Sequence, residues 1–439
     1  MANEKAQKSV NPELPSGTKD YLPEEYLPKQ KMLDSIRATF ELFGFSPIET
    51  SALQKEEVLT GGDENFKKQI FNAVNKDGED STLALRFDLT VPMARLVASS
   101  GDKIERPFKR YEMGKVWRGE KAQAGRFREF LQCDADIVGS ASPIADAEII
   151  SLMYETMRAL GFENFQIKIN NRKILNGLYE YAKFPQEKTN DLIRTLDKAD
   201  KVGVSGVEKE LKDKFNFLED EIKQIKKFLE SDFDSIKNSP EFSFGANELL
   251  RTIEIAKNLG VPEMFLKIDL SLARGLGYYT GIVFETVLLD TPEAGSVLGG
   301  GRYDDLVERF GGAKTPAVGM SVGIDRLFSA LEKKDLIKGD SKISKVLVLN
   351  FDEMCEEECV KIVSTLRGEK VPAEIYLGKE ETLKGQLAFA VKNEYEVVII
   401  VGQQEKERGV AQIKNMIART QEEVKLEEVS SAVKNILYS

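Results

Sequence analysis

The segment KVWRGEKAQAGRFREFLQCDADIVG, residues 115–139, mixes cationic, aromatic and acidic side chains. Side chains alternate between the two faces of a strand, so one face of its second half is mainly apolar and the other is polar. The polar face is sorted in the order Arg126, Arg128, Phe130, Gln132, Asp134 and Asp136. Arginines match phosphate oxygens, an aromatic ring offers a stacking surface, and the amide and carboxylates can hold amino groups. The pattern favours a site for a nucleotide and a small cation, with a solvated strand face as the alternative.

The same region is basic within an acidic protein. Residues 109–130 contain seven lysine or arginine residues and three acidic ones, whereas the chain of 439 residues has a net charge of −11. The overall charge argues against unspecific nucleic-acid binding by the whole chain. The local concentration of positive charge indicates a binding place for an anion.

Three further segments contain residues that suit such a ligand. In RFDLT, Asp88 and Thr90 form an acceptor pair for an ammonium group. In GMSVGIDRLF, Arg326 follows small residues at a helix start, where a phosphate is stabilised by the guanidinium and the helix amides. Helix capping or an ion pair would explain either segment alone. The segment LSLARGLGYYTGIVFE places Arg274 among glycines and tyrosines, and an arginine is rarely buried without a partner.

The chain contains no histidine and only three cysteines. It therefore has no Ser-His-Asp or Cys-His machinery and no histidine metal ligand. Cys355 and Cys359 lie four residues apart, but a structural zinc site needs four ligands, so free thiols are favoured. The few cysteines indicate a reducing cytosol. We hypothesise that a chain without histidine codons is still translated when histidine is scarce; composition drift and engineering are the alternatives.

The pattern of elements indicates several domains. The chain is too long for one core, and its start and its apolar runs suggest neither a secretory signal nor a membrane span. Helical spacing covers residues 24–43, FSPIET is a short strand, and residues 82–96 form a strand and a helix. Residues 109–139 form two strands joined by a loop. A helix over IADAEIISLMYETMRALGF and a strand over FQIKINN follow.

The predicted secondary structure changes twice in the second half of the chain. Residues 174–258 are rich in lysine and glutamate and indicate a helical insertion in a sheet-based domain. Strands then return at LSLARG, IVFETVLL and GSVLGGGRYDDL, and a helix at GIDRLFSALEKK follows. After a hydrophilic linker, KVLVLNF, AEIYLG and EVVIIVG alternate with helical stretches, which predicts a small α/β unit with a mostly parallel sheet.

At these residues the chain resembles the class II aminoacyl-tRNA synthetases. WRGEKAQAGRFREF resembles their motif 2, GMSVGIDRLF their motif 3, and the helix and strand through FGFSPIE their motif 1, the dimer element. LSLARGLGYYTGIVFE is similar to the signature of the histidyl-tRNA synthetase family. PSGTKDYLPEE, LRFDLTVPMAR, QCDADIVG and GGGRYDDLV follow that family in order. The likeness covers nearly the whole chain, and the DLT and QCDAD forms look like the eukaryotic-type branch.

The resemblance implies an α+β fold built on an antiparallel six-stranded sheet with flanking helices. The class II catalytic domain would span residues 1–332 with the insertion at 174–258, the linker 333–344, and the α/β anticodon-binding domain 345–439. It also implies a cytoplasmic homodimer without a membrane segment, with ATP, Mg²⁺, L-histidine and tRNA(His) as substrates and partners, and with no zinc.

The resemblance also assigns the site residues. ATP would be bound by Arg118 at the α-phosphate, Arg326 and Arg126 at the γ-phosphate, Phe130 on adenine and Glu120 nearby. Histidine would be bound by Asp88, Thr90 and Gln132 at its ammonium group and by Asp136, Tyr279 and Tyr303 at its imidazole, with Tyr278 in support. Lys121 and Gln123 would meet the tRNA acceptor end. Arg274 and Arg118 would be catalytic, with Arg274 at the α-phosphate in the place of a metal and also touching histidine.

Two features leave alternatives open. Gly277 stands where the family often has aspartate, which predicts a quantitative effect and not a loss of activity. Gly299, Gly300 and Gly301 form either a turn or the floor of the pocket. For the whole chain, the rival functions are a synthetase-like regulatory or histidine-sensing protein and a class II synthetase for another amino acid.

Overall fold

The computed structural model describes residues 10–61, 67, 69–74, 82–119, 127–273, 278–333 and 342–438. It divides into two compact units. The first comprises Met1–Asp20 and Lys29–Lys338, and the second comprises Tyr21–Pro28 and Gly339–Ser439.

The larger unit is built on a sheet whose central six strands are all antiparallel. In spatial order these are β5 (Phe108–Trp117), β6 (Glu129–Val138), β11 (Ala317–Gly323), β10 (Ser296–Arg302), β9 (Ile282–Leu288) and β7 (Phe165–Asn171). Two short strands extend it in parallel at the edges, β1 (Ser46–Pro47) beside β5 and β8 (Leu266–Ile268) beside β7. The six-stranded antiparallel sheet is therefore confirmed, and Pro47 lies on an edge strand, where a missing backbone N–H costs no ladder bond.

A separate three-stranded sheet comes early in the chain. It pairs β2 (Leu53–Lys55) and β3 (Phe71–Ala73) with β4 (Leu83–Leu85). Among the described residues up to 333, the helices α1–α12 follow in chain order: Pro23–Leu42, Glu56–Thr60, Thr90–Ser100, Pro143–Ala159, Arg172–Asn176, Leu178–Ala182, Thr189–Leu196, Ala199–Phe215, Glu219–Leu229, Phe233–Ile236, Ser243–Asn258 and Ile324–Lys333.

Local signals explain how helix α4 (Pro143–Ala159) begins and which way it faces. Ser142 is its N-cap and accepts a hydrogen bond from the Ile144 backbone N–H, while Pro143 fills the first position, where no N–H partner is needed. Ile149, Met153 and other apolar residues at helical spacing are buried in the same core as the apolar face of β6. This helix therefore backs the sheet on the face opposite to the polar one.

The helical insertion predicted for residues 174–258 is observed as a series of helices from Arg172 to Asn258. The strand predicted at LSLARG is wrong for residues 270–273, which form a turn after β8. The Asn170 side chain donates to the Leu270 and Leu272 carbonyls, at 3.2 and 3.0 Å, and Arg172 donates to the Ala273 carbonyl at 3.0 Å. These carbonyls bond to side chains and not to a neighbouring strand.

The smaller unit holds a five-stranded sheet in the order β13 (Ala373–Ile375), β12 (Val346–Val348), β14 (Val397–Ile400), β15 (Val410–Asn415) and β16 (Thr420–Lys425). Its helices α13–α16 are Glu356–Gly368, Leu383–Lys392, Gln403–Arg408 and Val429–Tyr438. The first two strand pairs are parallel, but β14–β15 and β15–β16 are antiparallel. The prediction of a mostly parallel sheet missed this hairpin, because β16 is rich in charged residues and lacks an apolar run.

Candidate active site

The acidic end of the polar face on β6 is buried. Gln132, Asp134 and Asp136 are at most 6% exposed, and Cys133, Ala135 and Ile137 point into the hydrophobic core on the other face. The predicted alternation is therefore confirmed, but the acidic end lies inside the protein and not on a solvated surface. Burying carboxylates is costly unless they are paired, so their partners define the site.

Glycines on strands β10 and β11 line the surface next to the polar face of β6. In the sheet register, Gly319 lies opposite Asp136, Ser321 opposite Asp134, and Gly301 opposite Gly319. A Cβ atom added at Gly319 would lie 1.8 Å from Asp136 Oδ1, and one at Gly301 would lie 2.9 Å from the Tyr279 ring. Gly299, Gly300 and Gly301 belong to strand β10, which rules out the turn. Gly299 and Gly301 share the face of Gly319, whereas a Cβ atom at Gly300 would meet Phe284 and Met320 of the hydrophobic core.

Three tyrosines gather beside Asp136. Tyr303, which is 1% exposed, donates its hydroxyl proton to Asp136 Oδ1. The Tyr278 ring packs edge-on against Tyr303, with centroids 5.8 Å apart, and against Tyr279 at 5.0 Å. Burial first, and then the charge of Asp136, raise the pKa of Tyr303, which stays protonated and able to donate. The structure brings together the four residues expected around the imidazole.

Asp88 has a carboxylate oxygen with an unused hydrogen-bonding capacity. It is 2% exposed; its Oδ1 accepts from the Val91 backbone N–H at 3.1 Å, and its Oδ2 has no hydrogen-bond partner among the described residues. Burial raises its pKa from 3.8 to about 7, with Asp134 adding to the rise and Val91, Arg118 and Arg110 opposing it. Thr90 begins helix α3 (Thr90–Ser100) two residues later, and its hydroxyl interacts with Tyr278.

Arg118 contacts both Gln132 and the ring of Phe130. Its Nε donates to the Phe87 carbonyl at 3.1 Å, and its Nη2 donates to Gln132 Oε1 at 3.4 Å. Its guanidinium lies 5.1 Å from the centre of the Phe130 ring. Gln132 Nε2 in turn donates to Asp134 Oδ1 at 3.0 Å and to Ser321 Oγ at 2.8 Å. Arginine, aromatic ring and amide thus adjoin one another, although this arginine is Arg118, which follows β5, and not one of the two that precede Phe130 on the predicted face.

Arg326 lies in the first turn of helix α12 (Ile324–Lys333). Its Nη1 donates to the Ser296 carbonyl at 2.6 Å. The helix follows directly on β11, whose last residue, Gly323, lies opposite Gln132. Arg326 therefore lies close in sequence to a strand that lines the site. Arg274, Gly277, Glu120, Lys121, Gln123 and Arg126 lie outside the described residues.

Sequence reasoning missed two residues that pair with the polar side chains of β6. Arg110 on β5 forms a 2.6 Å ion pair with Asp136, and Ser321 on β11 bonds Gln132. A signal for Arg110 was present, since pairing the two predicted strands as a hairpin places Arg110 directly opposite Asp136. No comparable signal existed for Ser321, because its strand lies far away in sequence.

Comparisons with known proteins agree along the whole chain. The family described as histidyl-tRNA synthetase matches residues 17–327, and the anticodon binding domain matches residues 345–436. A histidine–tRNA ligase of Clostridium tetani is 40% identical over 442 residues, covering 97% of this chain and 99% of the relative.

Solved structures agree as well. The histidyl-tRNA synthetase from Nostoc sp. PCC 7120 has a TM-score of 0.83 at 32% identity, covering 98% of this chain and 100% of the other. A Bacillus halodurans structure described as an ATP phosphoribosyltransferase regulatory subunit/histidyl-tRNA synthetase has a TM-score of 0.72 at 25% identity, with 87% and 97% covered.

Proposed function

Because this chain belongs to the histidyl-tRNA synthetase family, we propose that the polar face of its β5–β6 hairpin activates L-histidine. The chain is a histidine–tRNA ligase that uses ATP to join the amino acid to tRNA. The observation that carries the placement of the site is the set of buried acidic and phenolic groups around Asp136, directly beside Arg118 and Phe130.

Histidine would lie over the glycine floor. Asp88, Thr90 and Gln132 would receive its ammonium group, since Asp88 offers a buried, unpartnered carboxylate oxygen. Asp136, Tyr279 and Tyr303 would enclose the imidazole, and Tyr278 would hold Tyr303 in place. An amino acid without ring nitrogens would leave these buried groups unpaired, which is the strongest basis for discrimination.

ATP would lie at the cationic end as its Mg²⁺ complex. Phe130 would stack on adenine, Arg118 would hold the α-phosphate, and Arg326 would hold the γ-phosphate. Arg126 and Glu120 are proposed to assist there, and Arg274 to contact both the α-phosphate and histidine. Among the described residues no group of three Cys, Asp or Glu side chains is arranged to bind a metal ion.

The chemistry needs oriented charges more than proton transfer. A histidine carboxylate oxygen attacks the α-phosphorus, the bond to the bridging oxygen breaks, and pyrophosphate leaves with the electron pair. We propose that the guanidinium groups of Arg118 and Arg274 stabilise the negative charge that grows on the α-phosphate oxygens. A terminal ribose hydroxyl of the tRNA then attacks the adenylate carbonyl and AMP leaves. Neither step requires a histidine side chain.

The remaining assignments concern the tRNA and the assembly. We propose that Lys121 and Gln123 meet the acceptor end, that residues 345–439 read the anticodon, and that residues 333–344 link them to the catalytic domain, 1–332. The motif 1 region, around helix α1 (Pro23–Leu42), would join two copies into a homodimer. No helix among the described residues is both long and apolar enough to cross a membrane. We propose that the enzyme acts in the cytoplasm, where it would meet its tRNA substrate.

Amino-acid-dependent ATP–pyrophosphate exchange, run with all twenty amino acids, tests the proposal. We expect exchange with histidine alone, followed by charging of tRNA(His). Exchange with another amino acid would indicate a different class II synthetase, and exchange with none would indicate a regulatory protein.

A further inference from the structure

Arg110 lies behind the residues proposed to recognise imidazole. It is 0% exposed on β5, and its Nη2 lies 2.6 Å from Asp136 Oδ2 and 3.5 Å from the Leu89 carbonyl. Its Nε and Nη1 have no hydrogen-bond partner among the described residues. A buried arginine with so few bonds is a poor structural anchor, so its charge is its main contribution to the site.

The ion pair between Arg110 and Asp136, together with Tyr303, determines which hydrogen-bond donors and acceptors face the pocket. Asp136 Oδ2 faces Arg110, and Asp136 Oδ1 accepts the proton of Tyr303. Both carboxylate oxygens therefore have a partner, Oδ1 through a hydrogen bond and Oδ2 through the ion pair, although Oδ2 accepts no hydrogen bond from a described residue. Tyr303 directs its only O–H toward Asp136 in a hydrogen bond, so its oxygen presents lone pairs to other groups and can accept a hydrogen bond from a ring N–H.

The charges around Asp136 come from four elements. Strand β5 contributes Arg110 and Glu112, strand β6 contributes Asp134, and the residues after β10 contribute Tyr303. Asp88, which precedes α3, interacts with Arg110 and Asp134. The facing positions on β11 are uncharged: Gly319 and Ser321. Glu112 is itself neutralised by Arg86, at 2.7 Å.

Arg110 is thus the cation that directly opposes the charge of Asp136. Burial raises the pKa of Asp136 to about 6, with Arg110 opposing the rise and Asp134 adding to it. A carboxylate without such a partner would attract a cationic ring and stabilise its proton. A carboxylate already paired with a guanidinium does not, and the fixed positive charge behind it repels a second cation.

We propose that Arg110 is a positioning residue that makes the pocket select histidine with a neutral imidazole, and exclude the imidazolium form and other cationic side chains. Asp136 would be held ionised by Arg110, and Tyr303 would be held as an acceptor for the ring N–H. The inference rests on the proposed function, because it takes the ligand of this pocket to be histidine.

The absence of histidine from the chain makes a direct test possible. With ring-¹⁵N-labelled L-histidine bound to the full-length protein, every imidazole nitrogen signal comes from the ligand. Free imidazole is half protonated at about pH 6.5. In the wild type we expect one protonated and one unprotonated ring nitrogen at pH 6 to 8, so the bound ring titrates below the free ligand. In Arg110→Met, the pH of half-protonation should rise by at least one unit.

Two further variants separate charge from structure. Arg110→Lys keeps a cation behind Asp136 and should leave the ring neutral at pH 7. Lys29→Met breaks a buried ion pair with Asp325, at 2.7 Å, next to Cys133 on the other face of the sheet, and should leave the ring titration unchanged. Of the three variants, only Arg110→Met should shift the acidic limb of the pH profile of kcat/KM for histidine to higher pH. Its KM for ATP should stay within twofold of the wild-type value.

The outcomes distinguish this inference from the proposed function. A doubly protonated ring in the wild type at pH 7, or equal titration in the wild type and Arg110→Met, overturns the role of Arg110 while histidine binding stands. No saturable binding of labelled histidine overturns the proposed function itself. If Arg110→Met does not fold, a doubly protonated ring at pH 7 in either the wild type or Arg110→Lys still overturns the inference.

Discussion

The surroundings of a carboxylate can shift its pKa in either direction, as Asp88 and Asp269 show. Asp88 is buried, one of its oxygens has no hydrogen-bond partner in the part of the chain that the structure describes, and burial raises its pKa to about 7. Asp269 is also partly desolvated, which would raise its pKa, but hydrogen bonds from Ser271 and Lys168 outweigh this and lower it. A carboxylate oxygen left unpaired inside a protein is therefore a candidate for binding a cation, whereas the oxygens of Asp269 are bonded by its own neighbours.

Replacing Asp88 by asparagine should stabilise the protein and weaken histidine binding. The folded pKa of Asp88, about 7, lies above its ordinary value of 3.8, so its contribution to stability is lost as the pH rises from about 4 to 7. Asp88→Asn should raise the free energy of unfolding at pH 8, by an amount on the order of 2–4 kcal/mol, and change it little at pH 3.5, below both pKa values. Urea unfolding at both pH values measures this.

The same substitution should raise the KM for histidine by about tenfold to 100-fold, since a charge-assisted bond is worth on the order of 1.5–3 kcal/mol. Asp269→Asn is the matched control with the opposite sign. The pKa of Asp269 is lowered in the folded protein, so Asp269→Asn should be destabilised at pH 8. Because Asp269 is not among the proposed site residues, the KM for histidine should be unchanged. An Asp88→Asn protein that is less stable at pH 8 than the wild type would contradict the prediction.

Arg118 should not be replaceable by lysine. A lysine keeps the charge but cannot bond the Phe87 carbonyl and Gln132 simultaneously while lying over Phe130. Losing one preorganised contact of this kind typically lowers kcat by about 10²–10³, so Arg118→Lys should lose that much in pyrophosphate exchange. Arg95→Lys, which loses a bond to Gln54 away from the site, should stay within twofold. Comparable kcat values in the two variants would contradict a catalytic role for Arg118.

At the scale of elements, the sheet supplies the shape of the pocket as well as its residues. Strands β10 and β11 contribute Gly299, Gly301, Gly319 and Gly323 to the face that β6 lines with polar side chains. Glycine weakens a strand because it has no side chain to pack. Here the absence of side chains opens the room into which Asp136 and Tyr279 project.

Gly319→Ala should distort the imidazole pocket. The new Cβ would lie 1.8 Å from Asp136 Oδ1 and 2.9 Å from the Ala135 carbonyl, so the carboxylate must move. We expect the KM for histidine to rise at least about tenfold, and the free energy of unfolding to fall by about 1–3 kcal/mol.

The matched control for Gly319→Ala is Gly368→Ala. Gly368 lies at the end of helix α13 (Glu356–Gly368), and a Cβ there meets nothing within 4 Å. This variant should keep its KM and be neutral or stabilised by about 0.4–1 kcal/mol. Equal KM values in the two alanine variants would show that Gly319 is not part of the pocket.

At the scale of the whole molecule, the composition itself is a property to test. The chain of 439 residues contains no histidine, and the chemistry at the site requires none. A histidine–tRNA ligase that lacked histidine codons would remain translatable when charged tRNA(His) runs short. Its synthesis would then restore the charged pool.

Under histidine limitation, synthesis of this protein should persist while synthesis of histidine-containing proteins of similar length falls. The matched control carries histidine at Lys209, Lys223 and Lys392, which are exposed and where substitutions change stability by only about 0.5 kcal/mol. Pulse labelling of both forms in the same cells measures the difference. An equal decline of the two would leave composition drift or engineering as the explanation.

The sequence alone determined the properties that repeat over short distances. The alternation along β6 separated Gln132, Asp134 and Asp136 from Cys133, Ala135 and Ile137, and the packing of the strand followed it. The helical insertion was readable because a period near 3.6 and a lysine- and glutamate-rich composition persist over many residues. The hairpin β15–β16 could not be predicted from the sequence, because its second strand is exposed and carries no apolar pattern.

Only the tertiary structure decided which partners surround the acidic residues. Tyr303 reaches Asp136 across 167 positions of sequence, and Ser321 reaches Gln132 across 189, because β11 lies beside β6 in the sheet. The period of side chains is a local property of the backbone, whereas the order of strands is set by the packing of the whole core. The sequence therefore revealed which groups share a face, and the fold determined which of them are paired, buried or left with an unpartnered atom, as in Asp88 and Arg110.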